Sequence, residues 1–184
     1  MDKFVFVACK GWSQGINDRG GVQWLLKAFC EEFKNDKNVE LILKINSAYN
    51  NPAWNIAIEL QKLGLTPEDT KNIKFIVQNV EYKDLPQIYN QGDVFVSPTM
   101  GDAFNLPCLE AMACSLPVIT TNFGGQTDYV NNENGWLIDY ELVPVTFDIN
   151  YEGNFWSLPK LNHLKDLMRY CYNNQEEVKK KGMK

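Results

Sequence analysis

The chain has 184 residues, of which 45% are hydrophobic and 22% are charged, and its formal net charge is −5. A chain of this length buries roughly 70% of its unfolded surface, so it can form one domain with its own core, and its composition excludes disordered and fibrous proteins. The negative charge disfavours a broad surface for nucleic acid or anionic membranes, and no window reaches the ~18 apolar residues of a membrane-spanning helix.

Short apolar runs alternate along the chain with segments in which apolar residues recur every three or four positions. The runs are typical of strands covered on both faces, and the second pattern is typical of amphipathic helices. In chain order they predict a strand over 4–8, a helix over 22–33, a strand over 39–45, a helix over 54–63, a strand over 73–77, a helix over 85–89, a strand over 94–97, a helix over 107–113, strands over 118–121 and 135–138, and a helix over 161–171. Residues 139–159 show no period and are predicted to form a loop.

This alternation of strands and helices predicts one doubly wound α/β domain over residues 1–184, with a parallel, Rossmann-like sheet. Sheets of this kind bind ligands outside the carboxyl ends of their strands. We therefore expect the functional residues in the loops that follow Ala8, Ile45, Val77, Ser97 and Thr121.

Five cysteines and one histidine, His163, limit the chemistry that the chain can carry. The cysteines include no Cys-x-x-Cys pair, so a zinc site and a Cys/His nucleophile are disfavoured, and no metal ligand is assigned. The amino-terminal residues lack the basic stretch and apolar core of a secretory signal. These features predict buried, reduced thiols in a cytoplasmic protein.

Lys10 and Arg19 flank the glycines of the loop after the first strand, just before a predicted helix. The glycines match neither the dinucleotide-binding fingerprint nor a P-loop. Two cations and free backbone N–H groups beside a helix amino terminus can hold a phosphate group. A long surface loop with two solvated bases explains the same residues, and this loop by itself favours that simpler interpretation.

Asp102 and Glu110 bracket the loop after the fourth strand and the start of the helix that follows. One carboxylate can accept hydrogen bonds from both hydroxyls of a ribose, and a second can hold a sugar hydroxyl. Acidic residues are also common near helix starts because they interact with the helix dipole, so the pair alone is ambiguous. Gly124 and Gly125 lie in the next such loop, which fits a simple turn at least as well as an anion site.

The sequence GDAFNLPCLEAMACSLPVITTNFGGQTDYVNNENGWLI, residues 101–138, resembles the nucleotide-sugar-binding half of retaining GT-B glycosyltransferases of glycosyltransferase family 4. That family carries two acids in an E-x7-E arrangement, then E-A-M-A, a P-V-I strand, a glycine turn and N-G before the next strand. The segments DRGGVQWLLKAF (18–29) and DLPQIY (84–89) are similar to other parts of the family pattern. The resemblance covers nearly the whole chain and implies the carboxyl-terminal half of a GT-B fold.

The resemblance implies that Glu110 holds the donor ribose and that Asp102 lies by the sugar hydroxyls, and these two acids are the residues expected to be catalytic. It also implies that Lys10 binds the diphosphate and that the base lies near Val80. The backbone amides expected to approach the sugar and diphosphate belong to Ala103, Phe104, Asn105 and Leu106. By the same resemblance the donor is a UDP- or GDP-sugar, no metal cofactor is needed, and the anomeric configuration is retained.

Three positions depart from the family pattern. Gly20 stands where the family has a lysine, which leaves Arg19 as the nearest second cation. Asp102 replaces a glutamate, and Asn105 replaces a glycine. In the family an acceptor-binding domain precedes this one, and the active site lies in the cleft between them. The resemblance thus identifies the chain as the donor-binding domain of a larger enzyme, inactive alone, whose partner is the missing amino-terminal domain.

Two other functions account for parts of the same pattern. The first is a regulatory or sensor domain that binds a nucleotide sugar without catalysis, which the absence of a lysine at Gly20 favours. The second is a generic doubly wound nucleotide- or flavin-binding domain, in which Asp102 and Glu110 are only helix-start residues. Transfer activity of a longer parent protein separates the first from an enzyme, and nucleotide preference separates the second.

Overall fold

The computed structural model describes residues 3–46, 54–146 and 152–184. Its strands are β1 (Phe4–Gly11), β2 (Val39–Asn46), β3 (Ile73–Ile76), β4 (Val94–Ser97), β5 (Val118–Thr121), β6 (Gly135–Ile138), β7 (Tyr140–Pro144) and β8 (Phe155–Pro159). Its helices are α1 (Val22–Phe33), α2 (Ile56–Lys62), α3 (Leu85–Tyr89), α4 (Leu106–Ala113), α5 (Leu161–Asn173) and α6 (Gln175–Gly182).

The main sheet has six strands in the order β3-β2-β1-β4-β5-β6, and all of its strand pairs are parallel. The prediction of a doubly wound, Rossmann-like parallel sheet is therefore confirmed. The chain moves outward from β1 to β3, then returns to place β4 on the other side of β1. Ligands bind such sheets where the strand order reverses, so the crevice between the carboxyl ends of β1 and β4 is the expected site.

Successive residues of β1 point to opposite faces of the sheet and pack into two different cores. Phe6 lies in the larger core beside Phe29 of α1, with the two ring centroids 6.4 Å apart. Val7 lies in the second core with Tyr89 of α3 and Cys108 of α4. Because both faces are buried, the strands appear in the sequence as continuous apolar runs.

The prediction of a loop over residues 139–159 is wrong in part, because β7 and β8 pair there as an antiparallel hairpin. Leu142 and Phe155 are each 55% exposed, whereas Trp156 is buried. Apolar side chains on both the exposed and the buried side remove the alternation by which a half-buried strand is detected. Residues 147–151 of that predicted loop, and residues 47–53 after the second strand, lie outside the described residues.

The first two strands extend beyond their apolar runs. Parallel pairing continues through Cys9 with Lys44 and Lys10 with Ile45 to the end of both strands. Backbone hydrogen bonds form the ladder, so side-chain polarity does not end it. Lys10 therefore lies within β1, with its position fixed by the sheet, instead of in a loop.

Candidate functional site

Asp18 organises the loop that joins β1 to α1. Its Oδ2 accepts the backbone N–H groups of Ser13 and Gln14 at 2.8 and 3.1 Å, and its Oδ1 accepts that of Gly20 at 2.8 Å. The carboxylate is nearly buried, at 6% exposure. The expectation of free amides in this loop is thus wrong for these residues, whose N–H groups already have an acceptor.

Lys10 is a buried cation at the crevice, with 8% of its surface exposed. Its Nζ donates to Oδ1 of Asn105 at 2.6 Å and lies 3.4 Å from Oδ2 of Asp102. Burial of a charge is unfavourable unless it is paired, and these two oxygens provide the pairing. The ammonium is consequently held at one place at the carboxyl edge of the sheet.

Asp102 caps the backbone of its own loop. Its Oδ1 accepts the N–H of Asn105 at 2.8 Å and that of Phe104 at 3.3 Å, so two of the amides expected to approach a ligand are bonded to this carboxylate. Burial acts to raise the pKa of Asp102, but the charge of Lys10 and these hydrogen bonds outweigh it, and the pKa lies below its ordinary value. Asp102 is therefore an anion that orders the loop and fixes Lys10.

Asn105 shows why this position tolerates a residue other than glycine. Its φ is 58°, in the left-handed region that asparagine enters more readily than most residues. Its side chain is buried, and its Nδ2 donates to Oγ of Ser97 at 3.0 Å while its Oδ1 accepts from Lys10. A side-chain role for Asn105 was not predicted, because the sequence pattern pointed only to its backbone.

The segment before α4 also presents side chains outward. Ala103 is exposed, Phe104 is 45% exposed and Leu106 is 60% exposed. The single hydroxyl proton of Tyr129 is shared between two acceptors, the carbonyl oxygens of Phe104 and Asn105, which lie 2.6 and 3.0 Å from the hydroxyl oxygen. These bonds fix the backbone of the segment while its apolar side chains face solvent.

Arg19 connects the loop after β1 with the loop after β4. Its Nη1 donates to the carbonyl of Gly101 at 2.6 Å, and its own carbonyl accepts the N–H of Met100 at 2.7 Å. A cavity of about 370 Å³ lies between the two loops, and Lys10, Arg19, Asp102 and Trp156 are among its lining residues. The structure thus brings both predicted cations and one predicted acid into one cavity.

Glu110 lies apart from that cavity, on α4. Its Oε2 accepts the Tyr89 hydroxyl at 2.7 Å, and it lines a second cavity of about 530 Å³ between α3 and α4. Tyr82 lines the same cavity, and the charge of Glu110, with a hydrogen bond to it, raises the pKa of Tyr82. Val80 is half-buried and packs against the core on this face of the sheet.

Three side chains that the sequence did not single out shape these two cavities: Asp18, Tyr89 and Trp156. Tyr89 carries a weak sequence signal, because it is a hydroxyl-bearing residue on the buried side of a short helix. Trp156 carries none, since it lies within the stretch 139–159, which shows no period. Asp18 acts through a turn of its own loop, which residue spacing does not reveal.

Two further observations concern the described residues as a set. Within 3–46, 54–146 and 152–184 no group of three or more His, Cys, Asp or Glu side chains could hold a metal ion. No helix in these ranges is long and apolar enough to span a bilayer.

Comparison with known proteins identifies the family. The sequence profile described as "Glycosyl transferases group 1" matches residues 7–145, which include the site from Lys10 to Glu110. The chain belongs to this family. The family and some of the chain's curated relatives are named as glycosyltransferases, which favours a transferase over a generic nucleotide- or flavin-binding domain.

Curated relatives match the chain over part of their length. Spore coat protein SA of Bacillus subtilis is 33% identical over 126 residues, which are 66% of this chain and 32% of that protein. D-inositol 3-phosphate glycosyltransferase of Corynebacterium jeikeium is 28% identical over 123 residues, 65% of this chain and 28% of that protein. The chain therefore spans about a third of the length of these relatives.

Solved structures confirm the fold. The carboxyl-terminal domain of the group 1 glycosyl transferase LpcC from Francisella tularensis gives a TM-score of 0.68 at 19% identity, covering 98% of this chain and 81% of that one. Anabaena HepE in complex with UDP-glucose gives 0.68 at 19% identity, covering 98% of this chain and 42% of that one. The predicted architecture, that of GT-B carboxyl-terminal domains, is confirmed.

Proposed function

We propose that this chain is the donor-binding domain of a retaining glycosyltransferase that moves a sugar from a UDP- or GDP-sugar to an acceptor. The observation that carries the proposal is the convergence of Lys10, Arg19 and Asp102 on one cavity at the carboxyl edge of the sheet. Membership of the glycosyl transferases group 1 family and the likeness to HepE, whose structure holds UDP-glucose, support it.

Lys10 and Arg19 are suited to the leaving group of such a reaction. Breakage of the anomeric bond leaves negative charge on the nucleoside diphosphate, and cations that are already in place stabilise that charge without reorganisation. Two oxygens hold Nζ of Lys10, and an ammonium has three N–H donors, so one donor remains for a phosphate oxygen. Arg19 has used one N–H on Gly101 and offers further donors of its guanidinium.

The two acids take different parts of the donor in this proposal. Asp102 lines the cavity with the cations, where it can accept a hydrogen bond from a sugar hydroxyl. Glu110 already accepts a hydrogen bond from the Tyr89 hydroxyl, and Tyr82 lines the same cavity. A ribose offers the same kind of donor, and a carboxylate can accept several hydrogen bonds, so Glu110 can bind a ribose hydroxyl while it keeps its bond to Tyr89.

Calorimetric titration of the chain with UDP, UDP-glucose, GDP and GDP-mannose in buffer containing EDTA tests the proposal. We expect at least one base series to bind without metal, and Lys10→Met to weaken that binding about tenfold or more, because hydrogen bonds to charged groups contribute roughly 1.5–3 kcal/mol. Lys27→Met, which removes an exposed lysine of α1, is the matched control and should bind as the parent does. Failure of all four ligands to bind would contradict the proposed function, and binding only with added Mg²⁺ would contradict its metal independence.

A further inference from the structure

The hairpin of β7 and β8 adds a wall to the site, and its second strand, β8, lies outside the matched part of the family. The profile match ends at residue 145, and β8 follows at Phe155–Pro159. Val143 of β7 pairs with Trp156 of β8, and both pack with Met100, in the loop after β4. One side of the hairpin thus lies against the loop that carries Asp102.

Ser157 fastens this hairpin to the site. Its backbone N–H and its hydroxyl both donate to the carbonyl of Met100 at 2.8 Å, and the residue is fully buried. Met100 donates its own N–H to the carbonyl of Arg19. A series of hydrogen bonds therefore connects β8 to the loop after β4, and that loop to the loop between β1 and α1, which carries Arg19.

Trp156 is the residue that this connection brings to the cavity. Its indole approaches Gly101 so closely that a Cβ there would lie 3.3 Å from Cδ1. Among the described lining residues it is the single aromatic side chain, and Lys10, Ser13, Gln14, Asp18, Arg19 and Asp102 give the rest of the surface a polar character. Trp156 is 7% exposed, and the aromatic surface that it adds to the lining of this cavity fits a part of the ligand that is not a phosphate.

We propose that Trp156 is a specificity-determining residue that contacts the sugar of the donor. The inference rests on the proposed function, because it requires the diphosphate to lie on Lys10 and Arg19. The sugar is then the next part of the donor, beside Asp102 and Gly101, and its C–H groups are apolar enough to pack on an indole. Removal of this contact weakens sugar binding about threefold to tenfold.

The test compares each nucleoside diphosphate with its sugar conjugate on the same variant. Calorimetry with UDP and UDP-glucose, and with GDP and GDP-mannose, gives the gain in affinity that the sugar adds. We expect Trp156→Leu to remove about threefold to tenfold of affinity for the conjugate while the affinity for the free diphosphate stays within about twofold. Trp156→Phe restores part of the difference, since it returns an aromatic surface.

Trp24→Leu is the matched control. Trp24 packs in the same small cluster as Trp156 but is not among the lining residues of the cavity. We expect this variant to lower the melting temperature without a selective loss for the sugar conjugate. Gly101→Ala is a second, milder probe, because its methyl group pushes on the indole at the cavity and should also weaken the conjugate selectively.

The outcomes separate the two proposals. Equal losses for the diphosphate and its conjugate would show that Trp156 only shapes the cavity and would overturn the inference. A parent protein that binds UDP or GDP without any gain from the sugar would also overturn it, while leaving the proposed function intact. A parent protein that binds no diphosphate or conjugate would overturn both. If Trp156→Leu does not fold, the same comparison on Gly101→Ala and Trp156→Phe decides.

Discussion

Glu110 is the residue at which a binding role and a structural role make opposite predictions. Glu110→Gln keeps the size of the side chain but replaces an anionic acceptor by an amide. If a ribose binds there, nucleotide affinity falls about tenfold or more, because hydrogen bonds to charged groups contribute roughly 1.5–3 kcal/mol. Calorimetric titration with UDP and GDP measures the change.

Tyr89→Phe is the control for that experiment. It removes the 2.7 Å hydrogen bond to Glu110 but leaves the carboxylate in place. Because that bond is partly buried, its loss costs about 1 kcal/mol of stability, and nucleotide affinity should change far less than in Glu110→Gln. A lowered melting temperature with unchanged affinity in Glu110→Gln would refute the ribose assignment.

Asp102 predicts a defined acid dependence of stability. Its pKa is lowered from an ordinary value of 3.8, so the unfolded chain binds the proton more readily than the folded one. The stabilisation is therefore present above pH 3.8 and is lost as the pH falls further, through the lowered pKa. Urea unfolding across this range should show that Asp102→Asn loses less stability on acidification than the parent. Asp128→Asn, at an exposed position, should follow the parent curve.

The start of α1 makes a prediction at the scale of an element. Gly21 precedes the helix with a φ of 81°, and a Cβ there would lie 1.9 Å from the Pro98 carbonyl oxygen. Gly21→Ala should therefore lower the free energy of unfolding by more than about 2 kcal/mol, since the strain is in backbone that cannot yield cheaply. It should also weaken nucleotide binding, because Arg19 lies two residues before Gly21 on the same loop.

Gly64→Ala is the control that separates clash from backbone strain. Gly64 has a φ of 71°, but nothing lies within 4 Å of its added methyl group. Only the cost of the left-handed conformation remains, about 1–2 kcal/mol. If urea denaturation gave equal losses of unfolding free energy in the two variants, the close contact between Gly21 and the Pro98 carbonyl would contribute nothing to the effect at Gly21.

At the scale of the whole molecule, we expect residues 1–184 to bind a donor without transferring its sugar. The chain spans 32% of Spore coat protein SA and 28% of the Corynebacterium glycosyltransferase. In the proposed function the acceptor binds to another domain of the enzyme, and transfer requires that domain to bring the acceptor to the donor. Assays with radiolabelled UDP-glucose and GDP-mannose measure transfer, and sustained glycosylation of any acceptor by the purified chain would disprove the expectation.

The sequence by itself predicted the parallel sheet and three of the residues that line the cavity at its carboxyl edge, Lys10, Arg19 and Asp102. Strands buried on both faces are largely apolar, so most of β1, β2 and β4 was visible in the sequence as apolar runs. The alternation with helices then required a parallel sheet, whose carboxyl edge gathers the loops that carry Lys10 and Asp102. These conclusions depend on patterns among residues that are close together in the sequence, and such patterns can be recognised without the structure.

Tertiary structure alone decided which polar groups are available and what encloses them. Asp18 and Asp102 accept hydrogen bonds from backbone N–H groups that the sequence analysis expected to be free for a ligand. Tyr89 bonds to Glu110 in a second cavity, which Lys10 does not line. Trp156 reaches the site through a hairpin that has apolar residues on both of its sides. The sequence therefore shows no alternation there from which the strand could be predicted. Each of these contacts joins segments distant in the chain or turns a loop on itself, and such pairings depend on three-dimensional packing rather than on residue spacing.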